Sequence, residues 1–392
     1  MKRAVVVAVA GFLAAAAPAA GQEPPVPLVF EGPRVVGSGT AFELAGSSAP
    51  PGSRVQIEVL VGSRWRPLAG ARANAQGLFE RSVRPKRIRS RYVLRAVAID
   101  GRVSARIRVR SRHVTLASVG DINLGDLPGA YIGRFGVRYP WTSVAPVLRR
   151  ADVAFGNLEC AISTRGFPVP KEFNFRGSPA SLRAMAAFPE FDVLNLANNH
   201  VGDYGTTAML DTIRYIRRYG MVPVGAGGSL ASASRPRVFQ ALGLRIAFVG
   251  FSDILPASFF AGPGRAGTQQ ATAENIRASV SRAKRRADVV IATFHWGIER
   301  ATVEDGRQRA FATEALAAGA TAVIGAHPHV LQPIRSVGRR RLIAYSLGNF
   351  VFGAGSPGTT STGILQLKLS TRGIEGSRFR RARIEATRPV LG

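Results

Sequence analysis

The chain has 392 residues, of which 46% are hydrophobic and 20% charged, and its formal net charge is +29. This length favours two domains, and the composition is that of a globular protein, not of a disordered or collagen-like one. Arginine outnumbers lysine 48 to 5. For an exported protein, so basic a balance favours anionic partners such as envelope polymers or phospholipid head groups. No nucleic-acid partner is expected, because the basic residues are scattered and no nucleic-acid-binding module is legible.

The N-terminus has the layout of a secretory signal. Two basic residues precede an apolar, alanine-rich run that ends in small residues: Lys2 and Arg3, then Ala4–Ala17, then Ala19, Ala20 and Gly21. The apolar run is shorter than the roughly 20 residues that a membrane-spanning helix needs. Residues 1–21 are therefore predicted to be a signal peptide, and the mature protein to be secreted to the cell envelope, outside the cytoplasm.

A single cysteine, Cys160, excludes an internal disulfide. It stands beside Glu159, but no local feature marks it as an activated nucleophile, so a packed small residue is the preferred interpretation.

Residues 22–33 are proline-rich and are interpreted as a linker. From 34 to 112, alternating apolar and polar residues separated by turn signals predict a small β-sandwich, with strands at Arg54–Val61, Tyr92–Ala98 and Val103–Val109. The segment resembles the immunoglobulin-like accessory domains of bacterial surface proteins. Residues Gln22–Arg112 carry 17 basic and 6 acidic residues. An electrostatic anchor and a solvated spacer are both left open.

Residues 113–392 change to a pattern of apolar strands alternating with helices, which predicts an α/β domain with a largely parallel core. The expected strands are Val114–Val119, Val153–Phe155, Val193–Leu196, Ile246–Phe251, Val289–Phe294, Ala322–Ile324 and Leu342–Tyr345. The expected helices are Ser178–Phe188, a helix that carries Met209, Leu210, Ile213 and Ile216 before Gly220, Thr272–Ala287 and Arg307–Ala318. Two later strands, Ile364–Leu369 and Phe379–Ile384, are expected to add antiparallel edges.

Polar residues follow most of these strands, at the edge where α/β sheets bind ligands. They are Asp121 and Asn123, Glu159, Asn199, His200 and Asp203, His295 and Glu299, His327 and His329, and Asn349. A lone histidine is more often structural, but four of the five histidines lie at matching positions. Imidazole and carboxylate ligands without a second cysteine predict a divalent ion, zinc, manganese or iron. Three glycines, Gly120, Gly156 and Gly325, are expected to let the backbone turn tightly around it.

The ordered motifs GDINLG, NLE, NLANNH, HWGIE, GAHPHVLQP and YSLGNFVF, between Val114 and Phe352, resemble the CapA family of poly-γ-glutamate capsule-synthesis proteins. That family is similar to the calcineurin-like metallophosphoesterases. The resemblance implies a two-sheet α/β sandwich flanked by helices, preceded here by the all-β immunoglobulin-like domain, and one or two metal ions per chain.

The resemblance implies two groups of metal ligands, one for each of two metal ions. Asp121 and His329 hold one metal, with Asn123 where phosphoesterases use a histidine. Glu159 bridges, in place of an aspartate. The second metal is held by Asn199, His295 and His327. His200 faces the substrate as an acid or phosphate-binding group, with Asp203 as its orienting partner. Since Asn is a weak neutral ligand, the site of Asp121 is expected to be the weaker one.

Other candidates have two interpretations each. Glu299 is either a partner of a ligating histidine or a helix-start charge, and Asn349 either lines the pocket or caps a turn. Lys171, Arg176 and Arg265 either bind carboxylates or phosphates or are ordinary surface cations. Two functions stay open: a metal-dependent hydrolase of phosphoester or acidic polymer linkages in capsule assembly, and a non-catalytic component that grips a polyanion such as poly-γ-glutamate alongside capsule-synthesis membrane proteins. A nucleic-acid hydrolase would fit the charge but has no supporting motif.

Overall fold

The computed structural model describes residues 26–86, 88, 90–254, 256–353 and 355–392. The predicted signal peptide and the first residues of the linker lie outside this part of the chain. The protein forms two compact units. One comprises the residues up to Val36 together with Ala41–Ser111, and the other comprises Gly37–Thr40 together with Arg112–Gly392.

The N-terminal unit is built from strands alone in its described part. These strands are β1 (Val29–Glu31), β2 (Val35–Gly37), β3 (Phe42–Ser47), β4 (Arg54–Val61), β5 (Arg64–Arg72), β6 (Phe79–Val83), β7 (Arg91–Ala98) and β8 (Ile107–Arg112). They form a three-stranded sheet in the order β1-β3-β6 and a five-stranded sheet in the order β2-β8-β7-β4-β5. Apolar residues of both sheets, among them Leu44, Ile57 and Leu94, pack in one core. The unit is therefore a two-sheet β-sandwich.

The strand expected at Val103–Val109 begins later, at Ile107. Val103 forms only an isolated bridge with Val97. The hydroxyl of Ser104 accepts a hydrogen bond from the amide of Ala96 at 2.9 Å. A side-chain oxygen thus takes the place of a backbone partner there, which delays the start of regular pairing.

The second unit combines strands and helices. Its strands are β9 (Val114–Ile122), β10 (Val153–Leu158), β11 (Ala161–Ile162), β12 (Arg176–Gly177), β13 (Val193–Asn195), β14 (Val222–Val224), β15 (Ala226–Gly227), β16 (Arg237–Ala241), β17 (Leu244–Ser252), β18 (Gly267–Thr268), β19 (Val289–His295), β20 (Ala322–Ala326), β21 (Ile334–Val337), β22 (Arg341–Ala344), β23 (Asn349–Val351), β24 (Ser361–Ser370), β25 (Gly373–Glu385) and β26 (Arg388–Leu391). Its helices are α1 (Asp126–Phe135), α2 (Ala145–Arg149), α3 (Pro179–Ala187), α4 (Gly205–Arg218), α5 (Leu230–Ala233), α6 (Ala273–Lys284) and α7 (Gly306–Ala317).

Two large sheets form the centre of this unit. One has eight strands in the order β14-β13-β10-β9-β24-β25-β26, with β23 also paired to β9, and the other has six in the order β16-β17-β19-β20-β22-β21. Apolar side chains of both sheets share one core, in which the rings of Phe155 and Phe248 stack at 5.5 Å. Separate clusters bury helical residues against the outer faces. The α/β class expected from the sequence is thus confirmed, as two sheets packed face to face with helices outside.

The expected helices begin and end at local signals. The hydroxyl of Ser178 accepts from the amide of Ser181 at the start of α3, and Asp305 forms a capping box with Gln308 at the start of α7. Helix α4 is followed by Gly220 at φ 82°, a backbone conformation that favours glycine after a helix. None of the helices in the described part of the chain is both long and apolar enough to cross a membrane.

Neither of the two late strands is an edge strand, contrary to expectation. Strand β25 lies between β24 and β26. Strand β24 lies between β9 and β25 and is antiparallel to both. Both of its faces are apolar along much of its length. Leu365 and Leu367 point into the core between the sheets, whereas Ile364 packs against the outer cluster. A strand that is buried on both sides is stabilised by neighbours on both edges, which explains its interior position.

Parallel pairing determines where the polar residues lie. Strands β9, β10 and β13 run parallel in the first sheet, and β17, β19, β20 and β22 run parallel in the second. The carboxyl ends of each set therefore lie along one edge of its sheet.

Candidate metal centre

The two sheets contribute acidic and imidazole side chains to one buried cluster. Asp121 lies near the end of β9, and Glu159 directly follows β10. In the other sheet, His295 ends β19, and His327 and His329 follow β20. Asp121, Glu159 and His295 are completely buried, and His327 is 5% exposed. Burial of so many ionisable groups is costly unless they pair with one another or bind an ion.

Glu159 lies at the centre of the cluster. Its Oε1 atom is 3.3 Å from Nε2 of His295 and 4.0 Å from Nε2 of both His200 and His329. Neither carboxylate oxygen has a hydrogen-bond partner among the described residues. The same holds for Nδ1 of His327.

These atoms form two overlapping groups of potential ligands. Asp121, Glu159 and His295 form one, and Glu159, His327 and His329 form the other, with the ligand atoms of each group within 4.8 Å of one another. Unpartnered carboxylate oxygens next to an unpartnered imidazole nitrogen are the donor set that a divalent cation takes in proteins. The residues present therefore fit a metal ion, and Glu159 belongs to both groups. The other members are divided differently from the set that the resemblance implies, since Asp121 is grouped with His295, and His327 with His329.

Hydrogen bonds hold the carboxylate of Asp121 in place. The amide Nδ2 of Asn157 donates to Oδ1 at 2.8 Å, and the backbone amide of His327 donates to Oδ2 at 3.2 Å. Nδ1 of His329 lies 3.4 Å from the same Oδ2 atom and 2.8 Å from Oδ1 of Asn349. Asn349 therefore contacts a residue of the cluster and orients the ring of His329, and this contact is not explained by the capping of a turn.

The two carboxyl groups differ in their affinity for protons. Burial opposes ionisation of Asp121, but the hydrogen bond and charge of His329 and the Asn157 amide together hold its pKa below the ordinary value. The pKa of Glu159 is raised well above the ordinary value by burial and by the charge of Asp121. Asp121 is thus stabilised in its ionised form by His329, whereas Glu159 favours its protonated form.

The histidines of the cluster also differ in their pKa values. Burial and the neighbouring histidines lower the pKa of His295 well below its ordinary value. Burial and then His329 lower the pKa of His327 to about 3. The pKa of His329 is raised, since Asp121 outweighs the effect of burial. Neutral imidazole is the ligating form, so His295 and His327 need not lose a charge to bind an ion.

The loop that carries the two last histidines has a strained backbone. His327 has φ 97° and His329 φ 60°, a region that residues with a side chain seldom adopt. Such strain persists where the surrounding structure holds it, and it concentrates at functional sites.

The three glycines that were expected to form tight turns around the ion have extended backbones instead. Gly120, Gly156 and Gly325 lie within strands and are not among the residues with positive φ. A Cβ atom at Gly120 would lie 1.8 Å from the carbonyl oxygen of Gly348, and one at Gly325 would lie 2.0 Å from that of Tyr345. These positions permit close approach of neighbouring segments, and the prediction of tight turns there was wrong.

His200 stands at the side of the cluster with its own set of contacts. Its Nδ1 atom is 2.7 Å from Oδ2 of Asp203, so a proton on Nδ1 is donated to that carboxylate and Nε2 is left facing Glu159. The ring of Phe175 stacks on the imidazole at 4.2 Å, and the backbone amide of Phe175 donates to Asp203 at 2.7 Å. Asp203 thus occupies the position expected for an orienting partner.

The ammonium group of Lys171 is bound by residues around His200. Nζ donates to Oδ1 of Asp203 at 2.7 Å and to the carbonyl oxygen of Asn199 at 2.6 Å, and it lies 3.1 Å from Nδ1 of His200. These contacts make it a structural cation beneath His200. The interpretation as a substrate-binding group is not supported by this geometry.

The asparagines expected as ligands are placed in different ways. Oδ1 of Asn199 lies 2.8 Å from Nε2 of His295, at the cluster. Oδ1 of Asn123, in contrast, accepts from the amide of Gly125 at 2.8 Å, and its buried Nδ2 has no hydrogen-bond partner in the described structure. An amide nitrogen does not ligate a cation, so Asn123 could bind one only through Oδ1, which also accepts the hydrogen bond from Gly125.

The remaining candidates form no hydrogen bond with the ligand cluster among the described residues. Arg176 is exposed and stacks on Tyr204, with the guanidinium carbon 4.1 Å from the ring centre. Arg265 donates to the carbonyl oxygen of Phe260 at 3.1 Å. Glu299 is exposed, and no hydrogen bond to a histidine is seen in the described residues; its charge favours the protonated form of His329. It also precedes no helix, since α7 begins at Gly306.

A network of buried amides was missed by sequence reasoning. Asn157 donates to Asp121, and its Nδ2 lies 3.2 Å from Nδ1 of His295. Its own oxygen accepts from Asn195 at 2.8 Å. Asn198 donates to the carbonyl oxygen of Leu158 at 2.8 Å. The available signal was an amide at the end of an otherwise apolar strand, where a polar side chain must find a buried partner.

Cys160 is completely buried and accepts a hydrogen bond from the amide of Leu124 at 3.4 Å. Burial raises the pKa of its thiol to about 12. A thiol of this kind is a packed small residue and not a nucleophile.

Comparison with known families decides the relationship suggested by the motifs. Residues 115–354 match the family described as bacterial capsule synthesis protein PGA_cap. The chain belongs to this family. The CapA resemblance inferred from the six motifs is thereby confirmed.

Two named relatives support the assignment. The chain is 34% identical over 272 residues to the PGA biosynthesis protein CapA of Bacillus subtilis (strain 168), covering 68% of this chain and 71% of that protein. It is 32% identical over 268 residues to the capsule biosynthesis protein CapA of Bacillus anthracis, covering 66% of this chain and 65% of that protein. Among solved structures, the protein TT1561 of Thermus thermophilus aligns with a TM-score of 0.38 and 10% identity, covering 68% of this chain and 99% of that one. A TM-score this low assigns no fold.

Proposed function

We propose that this protein is an exported, metal-dependent hydrolase that cleaves a phosphoester or acidic polymer linkage during the assembly of a poly-γ-glutamate type capsule or surface polymer. The observation that carries the proposal is the carboxylate of Glu159. It is completely buried, has no hydrogen bond to either oxygen among the described residues, and is surrounded by imidazoles of both sheets. The two relatives, whose names place them in capsule or PGA biosynthesis, support the biological setting.

Asp121, Glu159, His295, His327 and His329 would hold the cation, one or two per chain, and Asn199 would complete the set. When bound, a divalent ion supplies Lewis-acid chemistry and stabilises the charge that develops on a phosphoryl or acyl oxygen. The protein contributes the fixed positions of the ligands, which Asn157 and Asn349 orient.

His200 would take a proton from the attacking water at Nε2 and donate it to the leaving group. Nε2 faces the cluster while Nδ1 is held by Asp203. This arrangement fixes both the tautomer and the direction of the ring. Phe175 covers one face of the imidazole, so the ring is held in a single orientation.

A second candidate function is a non-catalytic component that uses the same site to bind a polyanion. The observation that favours it is Asn123, a neutral residue whose side-chain oxygen also accepts a hydrogen bond from the amide of Gly125. Asn123 would therefore be a weak ligand beside Asp121, and binding without turnover would need only one well-held ion.

Export is part of the proposal. The basic start, apolar run and small residues of positions 1–21 predict a mature chain that begins near Ala20–Gln22. N-terminal sequencing of fractionated cells tests this. Recovery of a chain that starts at Met1 and stays bound to membranes would contradict it.

The test of the hydrolase begins with the wild type, loaded separately with manganese, zinc or iron and assayed on a generic phosphodiester and on poly-γ-glutamate. In His327→Ala, the metal content should fall, because an imidazole ligand is lost. In His200→Ala, the metal content should stay near normal, while turnover falls ~10²–10⁴-fold with the loss of a proton-transfer group. His113→Ala, at the histidine outside the cluster, is the matched control and should change neither.

The outcomes separate the two candidates. A metal-loaded wild type that cleaves neither substrate would exclude hydrolysis of those substrates and favour the binding function. Loss of metal in His200→Ala would show that this residue is a ligand and not a proton-transfer group.

A further inference from the structure

One face of the N-terminal β-sandwich is covered with arginine. In the five-stranded sheet, side chains alternate between the buried core and the outer surface, as the burial pattern of β7 shows. Six of the outward positions on β4, β5, β7 and β8, here called the arginine face, are Arg54, Arg72, Arg91, Arg95, Arg108 and Arg110. All except the half-buried Arg95 are exposed.

Like charges lie directly opposite each other on this face. Arg91 and Arg110 are paired across β7 and β8, and Arg54 and Arg72 are paired across β4 and β5. Like charges at directly opposed positions of antiparallel strands destabilise a sheet. Two such pairs on one face indicate that the positive charge serves a purpose other than folding.

Little acidic charge compensates these arginines. Glu58 is the one acidic residue at the outward positions of the four strands, and it binds Arg95 at 2.8 Å. For the other five arginines of the face, no ion pair occurs within the described part of the chain. The face therefore offers several guanidinium groups that are free to bind anions.

The aromatic residue of the face is already engaged. The ring of Trp65 has the guanidinium carbon of Arg95 at 4.2 Å and that of Arg106 at 5.6 Å. Single-stranded nucleic acids bind basic surfaces by stacking bases on open aromatic rings. A ring occupied by two cations is unsuited to this, whereas a polymer whose side groups are simple anions needs only the arginines.

We propose that the arginine face binds a linear polycarboxylate. Guanidinium groups bind carboxylates through two parallel hydrogen bonds. The strand register places Arg91, Arg108 and Arg110 at one end of β7. Arg54 and Arg72 lie at the other end, beyond Ala98. A long chain that carries many carboxylates can contact both groups, whereas a small anion can contact only one. The choice of carboxylate over other anions rests on the proposed function, but the anion-binding surface itself does not depend on the metal centre.

The test uses full-length protein and poly-γ-glutamate, with binding measured by calorimetry at increasing salt. The face variant is R91Q/R108Q/R110Q, and the control variant R218Q/R285Q/R286Q removes the same charge from exposed positions at the C-terminal ends of α4 and α6, in the other unit. The wild-type affinity should fall as salt rises. The face variant should bind roughly 30–100-fold more weakly, since each exposed arginine near an anionic surface contributes substantially. The control variant should stay within about threefold of the wild type, in line with the screening of distant charges.

The unfolding temperature shows whether weaker binding by the face variant results from damage to the fold. The face variant loses an opposed pair of like charges, so its unfolding temperature should equal or exceed that of the wild type. A lower unfolding temperature together with weaker binding would attribute the loss to damage of the fold and overturn the proposal.

The remaining outcomes separate this inference from the hydrolase. His327→Ala, which should lose metal, is expected to bind poly-γ-glutamate through the arginine face as the wild type does. If the wild type shows no hydrolysis but the face variant still loses binding, the hydrolase fails and the polycarboxylate surface stands. Equal binding by the face and control variants, or tighter binding of double-stranded DNA than of poly-γ-glutamate, would overturn the inference even if hydrolysis is observed.

Discussion

The side-chain amide of Asn157 lies 3.2 Å from Nδ1 of His295, and these two residues belong to different sheets. The same amide nitrogen donates to Asp121 at 2.8 Å. One buried asparagine thus fixes the position of a carboxylate from the first sheet and of an imidazole from the second. Its residue type matters because a carboxylate at this position would repel Asp121, and an aliphatic side chain would remove this contact from both partners.

We expect Asn157→Ala to weaken metal binding by about 10–100-fold, because partners that orient metal ligands typically contribute that much to affinity. Isothermal titration with manganese and with zinc measures the effect. Asn275→Ala, at a half-buried amide on α6 outside the ligand cluster, is the control and should bind metal as the wild type does. An unchanged affinity in Asn157→Ala would show that the amide network does not support the cluster.

Lys171 should prove essential to the fold around His200. Asp203 is completely buried and Lys171 supplies its cation, so Lys171→Met should lower the free energy of unfolding by about 2–3 kcal/mol by leaving a buried charge unpaired. The double variant Lys171→Met/Asp203→Asn should recover part of the loss. Denaturant titration measures both. If Lys171→Met is as stable as the wild type but binds substrate poorly, the lysine is a substrate-binding group after all.

The pH dependence of stability should reveal the ion pair at Asp211. The hydrogen bond from Arg165, with help from Ser163, lowers the pKa of Asp211 from 3.8 to about 2. The ionised carboxylate therefore stabilises the fold above the unfolded value of 3.8, and this contribution is lost as the pH falls towards 2. Asp211→Asn should be less stable than the wild type by about 1–2 kcal/mol at neutral pH, a range reduced for the exposure of the arginines.

That difference should shrink between pH 4 and pH 2, which unfolding at a series of pH values would show. Glu172→Gln, at an exposed position, is the control and should match the wild type throughout. If the difference in unfolding free energy between Asp211→Asn and the wild type does not change with pH, ionisation of Asp211 does not stabilise the fold.

Close packing at Gly325 should affect both the stability of the fold and the metal content of the protein. A Cβ atom there would lie 2.0 Å from the carbonyl oxygen of Tyr345 and 2.4 Å from Nε1 of Trp296. Gly325→Ala should cost about 2–3 kcal/mol of stability through overpacking and reduce metal content by displacing His327. In contrast, Gly133→Ala, within α1 where nothing lies within 4 Å of the added atom, should stabilise the helix by about 0.5–1 kcal/mol. Thermal unfolding of both variants tests the pair; equal effects would contradict the close approach at Gly325.

The sequence predicts the elements well where hydrophobic periodicity is strong. The strand at Arg54–Val61 forms as expected, and α4 ends just before Gly220 because glycine adopts the positive φ required there. The interior position of β24 could not be predicted, because pairing partners depend on contacts that are distant in the sequence. Strand β8 begins at Ile107 and not at Val103, and this later start depends on one side-chain hydrogen bond of Ser104.

At the site, the sequence predicts which residues meet better than how they are oriented. The strand-end positions of Asp121, Glu159 and His295 follow from the parallel order of strands. The direction of the Asn123 amide is set instead by a local bond to Gly125. The placement of Lys171 depends on a loop that returns to Asp203, 32 residues away. No periodicity in the sequence encodes such contacts.

The residues that would hold a metal come from the ends of strands in both sheets, and this division has a thermodynamic consequence. If Asp121 and Glu159 of one sheet and His295 and His327 of the other held an ion, that ion would also link the two sheets. Its binding free energy adds to the stability of the folded protein, by an amount that grows with the ratio of free metal to the dissociation constant. Selection for a well-folded protein is then sufficient to maintain the whole ligand set, whether or not a reaction takes place there.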